Sequence, residues 1–348
     1  MFIYYFIFLI AFFLCGVDYI TNRYIKLGFY LTFCTILIAF PALKSIGVDN
    51  DGGTYDEIFR MANTYSFSEI LSGNYWENIE RGYMLLNKII GYFGGTISGV
   101  FIIVAFLTGL INYSVIYKKT PFPFSTLLFY LSFFYLYRDF TQIRYGLSCA
   151  LVFLSVYHLM EKKYIWCLVF LLCALLFHNS SAIMLIAIPL CFLIRNKYIY
   201  LLLPLISLVG LFYNPFPLLM ALTGGSSHME IYLGETGGAG FMVAAVGAII
   251  MSIYLIYKSR FTDQNMAIYF RLLMLGVALN FLFFQTSIFQ RFSYMLFQFG
   301  LLLLPGMIHI LQKSKDKYFF VFFHFLCNCF FLYYGFKLIA PTLIRPYF

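Results

Sequence analysis

Charge is what this chain of 348 residues has least of. Asp and Glu number 14 and Lys and Arg 23, together 11% of the sequence against 62% hydrophobic residues. A water-soluble domain of this length would need a far larger polar surface, so a soluble fold is excluded. The surplus of nine positive charges is not gathered into a basic stripe, and no nucleic-acid partner is expected. The eight cysteines all lie inside apolar runs, where a thiol behaves as a small hydrophobe. Neither a disulfide framework, a metal site nor a cofactor is expected, and the close pair Cys327 and Cys329 reads as packing. Repeats and low-complexity tracts are also missing. Met1 to Val17 lacks the basic start and small-residue cleavage site of a signal peptide, and reads as a retained first span with its N-terminus outside.

What the chain does have is long apolar runs, with a mean hydropathy of +0.86. Runs of roughly 17 to 25 residues cross a hydrocarbon layer about 30 Å thick as helices, which satisfy their own backbone hydrogen bonds. Twelve such segments are expected, at about 1–17, 27–43, 97–117, 122–137, 141–160, 163–178, 180–194, 198–213, 239–257, 266–284, 291–311 and 318–338. The expected fold is all-α: one polytopic helical membrane domain over 1–348, with about 12 transmembrane helices.

The gaps between the runs alternate in charge. One set holds Arg23, Lys26, Lys118, Lys119, Lys162, Lys163, Arg195, Lys197, Lys258, Arg260, Arg271, Lys313, Lys315 and Lys317 against Asp18, Glu161, Asp263 and Asp316. The other holds the remaining nine Lys and Arg against ten acids. Short basic loops stay on the cytoplasmic side, so both termini are expected outside. Two longer connections fall on the outer side. The first, about 44–96, has an amphipathic stretch from Glu57 to Leu71 and the pair Tyr75 and Trp76, and is expected to form interfacial helices. The second, about 214–238, is rich in Gly and carries His228, Glu230 and Glu235; it reads as a mobile lid.

Charge near hydrocarbon costs roughly 2.5 to 3.5 kcal/mol per residue at a helix centre, so polar groups there usually line a cavity. Arg138, Gln142 and Tyr145 are expected on one helical face, with Arg144 turned toward Thr141 and Ser148. Two guanidiniums entering the membrane suit a diphosphate, whose oxygens they bind in pairs. The alternative is that Arg138 pairs with Asp139 and Arg144 reaches the headgroups. His178, in the turn His178-Asn179-Ser180-Ser181, serves either as a general base or as a structural residue. His158, His309 and His324 read as interfacial packing. Gln285, Gln290 and Arg291 make a third outer patch, and Glu80 with Arg81 is either part of a site or a solvated pair.

In this order the patches resemble the EpsG family, relatives of the Wzy-type O-antigen and exopolysaccharide polymerases. The matching residues are Gly47-Val48-Asp49 with Tyr55, Glu80-Arg81-Gly82-Tyr83 with Leu86-Asn87, Arg138 followed by Gln142-Ile143-Arg144-Tyr145-Gly146-Leu147, His178-Asn179-Ser180-Ser181, and Gln290-Arg291-Phe292-Ser293-Tyr294. The extra Asn50-Asp51-Gly52-Gly53 leaves either Asp49 or Asp51 as the equivalent acid. The resemblance implies a glycosyltransferase that polymerises oligosaccharide repeat units carried on undecaprenyl diphosphate, outside the cytoplasm and among membrane lipids, with a chain-length regulator as a further partner. It implies Arg138, Arg144 and Arg291 on the diphosphate, and His178 as base with Glu80 and Asp49 as rivals. Arg81, Gln142, Tyr145, Asn179 and Gln290 would contact substrate. The competing reading is a flippase or other transporter for the same lipid-linked oligosaccharide, which would show two similar halves and polar residues deep in several spans. Acyltransferase and ligase activities make a third class.

Overall fold

The computed structural model describes residues 1–75, 79–218, 240–340, 343–345 and 347. Among them the regular structure is helical, apart from one isolated antiparallel bridge between Asp49 and Ile344. The chain divides into two compact units, Met1–Asn179 with Ile308–Phe348, and Ser180–Met307.

The first unit contains α1 (Phe2–Leu14), α2 (Arg23–Ala42), α3 (Gly52–Thr64), α4 (Phe67–Ser72), α5 (Arg81–Tyr92), α6 (Ile97–Lys119), α7 (Pro123–Tyr130, continuing as a π-helix over Leu131–Thr141), α8 (Ile143–Met160) and α9 (Tyr164–Phe177). The second contains α10 (Ile183–Leu193), α11 (Lys197–Ser207), α12 (Gly240–Ile256), α13 (Gln264–Leu282) and α14 (Ser287–Phe297). Then α15 (Gly300–Leu311) leads back into the first unit, which ends with α16 (Lys317–Leu338). All twelve apolar segments carry helix. Seven helices among the described residues are long and apolar enough to cross a membrane, and four apolar helices are shorter. Length and composition support seven of the expected spans of about twelve. The segment from Pro123 to Thr141 changes helix type midway and ends in the charged pair Arg138 and Asp139.

The helix from α7 through its π continuation forms the centre of the first unit, with almost every residue from Pro123 to Thr141 buried. Phe129 stacks on Phe331 of α16 at 4.4 Å, the Ser132 hydroxyl donates to the Phe331 carbonyl at 2.6 Å, and Tyr135 donates to the Leu37 carbonyl at 2.8 Å. Buried hydroxyls thus find backbone acceptors on neighbouring helices, as a low-dielectric interior requires. The N-terminus of α7 is served from a distance. Asp18 accepts from the Phe124 and Ser125 amides at 3.0 and 2.8 Å and from the Ser125 hydroxyl, doing across the chain what an N-cap does locally.

Helix α6, with 23 residues, separates the two ends of this unit by about 35 Å. At one end meet the basic loops. Lys119 pairs with Glu161, Lys26 donates to the Asp18 carbonyl at 2.7 Å, and Tyr19 hydrogen-bonds His324 at 2.8 Å. At the other end Tyr4 donates to the Arg345 carbonyl at 3.0 Å, and the Arg345 amide donates to the Val48 carbonyl at 2.7 Å, tying the chain's start, its last residues and the segment after α2 together. The loops grouped by charge in the sequence therefore meet in space within this unit.

The segment 44–96 folds into the three short helices α3, α4 and α5. The amphipathic stretch is interrupted at Tyr65, because Ser66 and Glu69 form a capping box that starts α4 anew and Gly73, at φ +79°, ends it. Tyr55 of α3 packs edge-on to Tyr83 of α5 at 5.9 Å, and Phe67 of α4 to Tyr92 at 5.8 Å. Trp76 and Glu77, and the loop carrying His228, Glu230 and Glu235, lie outside the described residues.

In the second unit, Arg271 of α13 donates to the Cys191 and Arg195 carbonyls at 2.6 and 3.1 Å, satisfying the C-terminal end of α10. The Ser293 hydroxyl donates to the Gly276 carbonyl at 2.7 Å, where α13 and α14 approach closely.

Removing the Asp18 carboxylate strands the amides at the start of the central helix. Asp18→Ala is expected to lower stability by about 1–2 kcal/mol and Asp18→Asn by less, read as the shift in thermal unfolding of the detergent-solubilised protein.

Candidate functional site

At the end of the first unit that holds both termini, two neighbouring residues at the start of α8 reach two neighbouring residues at the end of α9. Arg144 donates through Nη1 to Glu80 Oε2 at 2.8 Å, and the other oxygen of Glu80 accepts the Asn179 amide at 3.2 Å. Tyr145 packs against the His178 imidazole at 5.2 Å, and the Arg138 guanidinium lies 5.2 Å from the same tyrosine ring and 4.2 Å from Phe134. An ion pair and an aromatic row thus run side by side, joined by the Arg144–Tyr145 and His178–Asn179 peptides.

The local chain explains this meeting. His178 leaves α9 in extended conformation, so the next amide is an unpaired helix-start donor facing the Glu80 carboxylate. Gly82 lets α5 press on α9: a Cβ there would lie 2.6 Å from the Leu176 carbonyl oxygen. Gly146 does the same for α8 against the π-helix, since its Cβ would lie 2.6 Å from the Arg138 carbonyl oxygen. The two motif glycines are close-approach residues.

The expected common face of Arg138, Gln142 and Tyr145 needs one continuous α-helix, and the chain does not supply it. Residues 131–141 are π-helical, with five-residue hydrogen bonds, and Gln142 at φ −90°, ψ 63° breaks the path before α8 begins. Arg138 and Tyr145 still touch, by packing across that break. Thr141 donates back to the Leu136 carbonyl and Ser148 to the Ala174 carbonyl, while Arg144 turns to Glu80. Asp139 accepts from Tyr130 at 2.7 Å, and Tyr130 in turn from Asn112.

Arg144 is about one quarter exposed and Glu80 8% exposed, so the pair borders solvent-accessible space; Arg138 is fully buried. Burial holds the Tyr55 and Tyr83 hydroxyls well above the usual phenol range, so both stay protonated beside Arg144. Buried polar atoms among these residues are left over: Gln142 Oε1, Arg144 Nε and the Tyr83 hydroxyl have no hydrogen-bond partner in the structure. The Arg144 guanidinium lies 5.6 Å from the Tyr83 ring centre, and buried polar atoms left without partners there are suited to a polar ligand. Arg81 is exposed and lies over Gly73, away from the pair. Gln290 and Arg291 belong to the second unit, on α14, where Gln290 reaches the Phe284 carbonyl at 3.4 Å and Arg291 is half-buried.

Lys44 was not singled out by the sequence. Its ammonium is buried and donates to Asp49 and to the Phe140 carbonyl, with the Phe101 ring 4.6 Å away. The other Asp49 oxygen accepts the Gly52 amide. Burial pulls the Lys44 ammonium below its ordinary range, against the opposing pull of Asp49. Gly47, at φ +96°, makes the turn that brings the two ends of Lys44–Asp49 together. Opposite charges five residues apart around a glycine were the available signal.

The EpsG family profile matches residues 27–348. The chain belongs to the EpsG family. EpsG proteins are a Wzy-type polymerase family, and membership makes this chain a membrane protein of polysaccharide-polymerase type. No curated protein and no solved structure matches it.

The buried Lys44–Asp49 pair yields a stability test. Lys44→Met leaves a carboxylate without its cation and is expected to cost about 3–5 kcal/mol, whereas Lys44→Met combined with Asp49→Asn recovers most of the loss. A double-mutant cycle from unfolding midpoints in detergent measures the difference.

Proposed function

We propose that this EpsG protein is a membrane glycosyltransferase that joins oligosaccharide repeat units carried on undecaprenyl diphosphate, at the end of the first unit remote from its basic loops, which faces away from the cytoplasm of a bacterial inner membrane. The observation that carries the reading is the half-buried Arg144–Glu80 pair with His178 one residue from the amide that Glu80 accepts.

In the reaction, the bond between the donor's reducing-end sugar C1 and its diphosphate oxygen breaks. A bond forms from C1 to an acceptor hydroxyl oxygen, whose proton passes to a base. The leaving diphosphate gains negative charge and needs cations in a site of low dielectric. Arg144 supplies the accessible guanidinium. An incoming diphosphate competes with Glu80 for it, which loosens the carboxylate just where an acceptor hydroxyl needs a proton acceptor. His178, held against Tyr145, is the other base and a positioner of the acceptor sugar. Buried Arg138 adds positive charge through the Tyr145 wall, and Gln142, Tyr145 and Asn179 offer polar contacts to the sugars. Both oxygens of Asp49 are already engaged, which gives it a positioning role in holding the segment before α3.

Purified protein given lipid-linked repeat units in detergent, with no energy source, is expected to make a ladder of longer glycans and to release the lipid diphosphate. Arg144→Ala is expected to slow this by at least about a hundredfold and His178→Ala to abolish it, with both proteins still folded. Movement of substrate across vesicles without lengthening would show a flippase instead and end the polymerase reading.

A further inference from the structure

At the basic end of the first unit, two cavities outside the proposed site share a wall. An apolar groove of about 320 Å³ runs along α2 and α6, between Leu31, Cys34 and Ile38 on one side and Phe106, Gly109 and Leu110 on the other. It ends at Tyr117 and Lys118, which also line a second, polar cavity of about 390 Å³ with Arg23 and Lys26. The lining of the groove is almost wholly apolar below this mouth. The lining of the second cavity carries three cations and no acid.

The neighbouring acids are committed elsewhere. The Asp18 carboxylate is turned to the Phe124 and Ser125 amides, and only its backbone carbonyl takes the Lys26 ammonium. Glu161 pairs with Lys119. Arg23 and Lys118 are exposed and enter no ion pair among the described residues. Gly109 lets α6 close on α2 at the floor of the groove, since a Cβ there would lie 2.4 Å from the Ile38 side chain, and the Tyr30 hydroxyl is turned into the protein, donating to the Tyr113 carbonyl at 2.8 Å.

We propose that this face of α2 and α6 binds one anionic glycerophospholipid from the leaflet at the basic end, its phosphate between Arg23, Lys26 and Lys118 and an acyl chain in the groove. The charge complementarity selects an anion, and the adjoining apolar slot selects one that carries a chain, which excludes free phosphate as the occupant. The bound lipid bridges α2 to the α6–α7 turn, next to the Asp18 contact that caps the central helix. This inference does not rest on the polymerase reading.

Native mass spectrometry of the full chain released from detergent tests it, with phosphatidylglycerol and phosphatidylcholine of equal chain length as probes and inorganic phosphate as the free-anion control. One tightly held phosphatidylglycerol per chain is expected, with phosphatidylcholine bound at least about tenfold more weakly and no phosphate adduct. Arg23→Gln with Lys118→Gln, at two exposed positions, is expected to weaken phosphatidylglycerol by about tenfold or more and erase the preference. Leu110→Trp, which fills the groove and keeps the cations, is expected to weaken it while leaving the preference intact. Equal binding of the two lipids, an unchanged affinity in the double variant, or phosphate bound as well as the lipid would overturn the proposal.

Discussion

Everything polar in this protein is governed by one constraint: a bundle of apolar helices has no interior place for an unpaired charge, so charges collect at helix ends and must find partners there. The Arg144–Glu80 pair is where that constraint and the proposed site coincide. One carboxylate spans α8 and the helix start after α9, using one oxygen for a guanidinium and the other for an orphan amide. Yet the pair is not sealed, because the arginine keeps about a quarter of its side chain exposed and one nitrogen without a partner. Lys44 and Asp49 show the contrasting solution, a fully buried pair with both carboxylate oxygens engaged. The first arrangement can exchange partners with an incoming anion; the second can only hold its loop in place.

The π-helix at the end of α7 serves the same site. Widening the helix by one residue per turn carries Arg138 into the interior against Phe134 and lets the chain break at Gln142, so that α8 begins afresh with Arg144 and Tyr145 aimed at α5 and α9. Such irregularity is costly in an apolar medium, and it is found here where the motif residues converge. The close glycine approaches at Gly82 and Gly146 complete the assembly.

Much of this was legible in the sequence because hydropathy and short charged motifs report directly on what water and lipid tolerate. The twelve apolar segments, the pairing of loops by charge, and the candidates Glu80, Arg144 and His178 were visible in that way. The face shared by Arg138, Gln142 and Tyr145 was misjudged, since α-helical spacing gives no warning of a π segment or of a break at Gln142. Which of the apolar runs cross a membrane was less legible, because the runs around α9 to α12 fold into helices of 11 to 17 residues. Lys44 was passed over because its partner depends on the turn at Gly47, and the reach of Arg144 to Glu80 depends on two helices far apart in the chain.

The central claim is that the end of the first unit bearing Glu80, Arg144 and His178 faces away from the cytoplasm while the basic loops face it. Single cysteines placed at Ser68, in α4, and at Lys315, before α16, can be probed with a membrane-impermeant maleimide on intact spheroplasts, the native cysteines being buried or half-buried. The account predicts labelling at position 68 in intact cells and at position 315 only after lysis; the reverse pattern would contradict it.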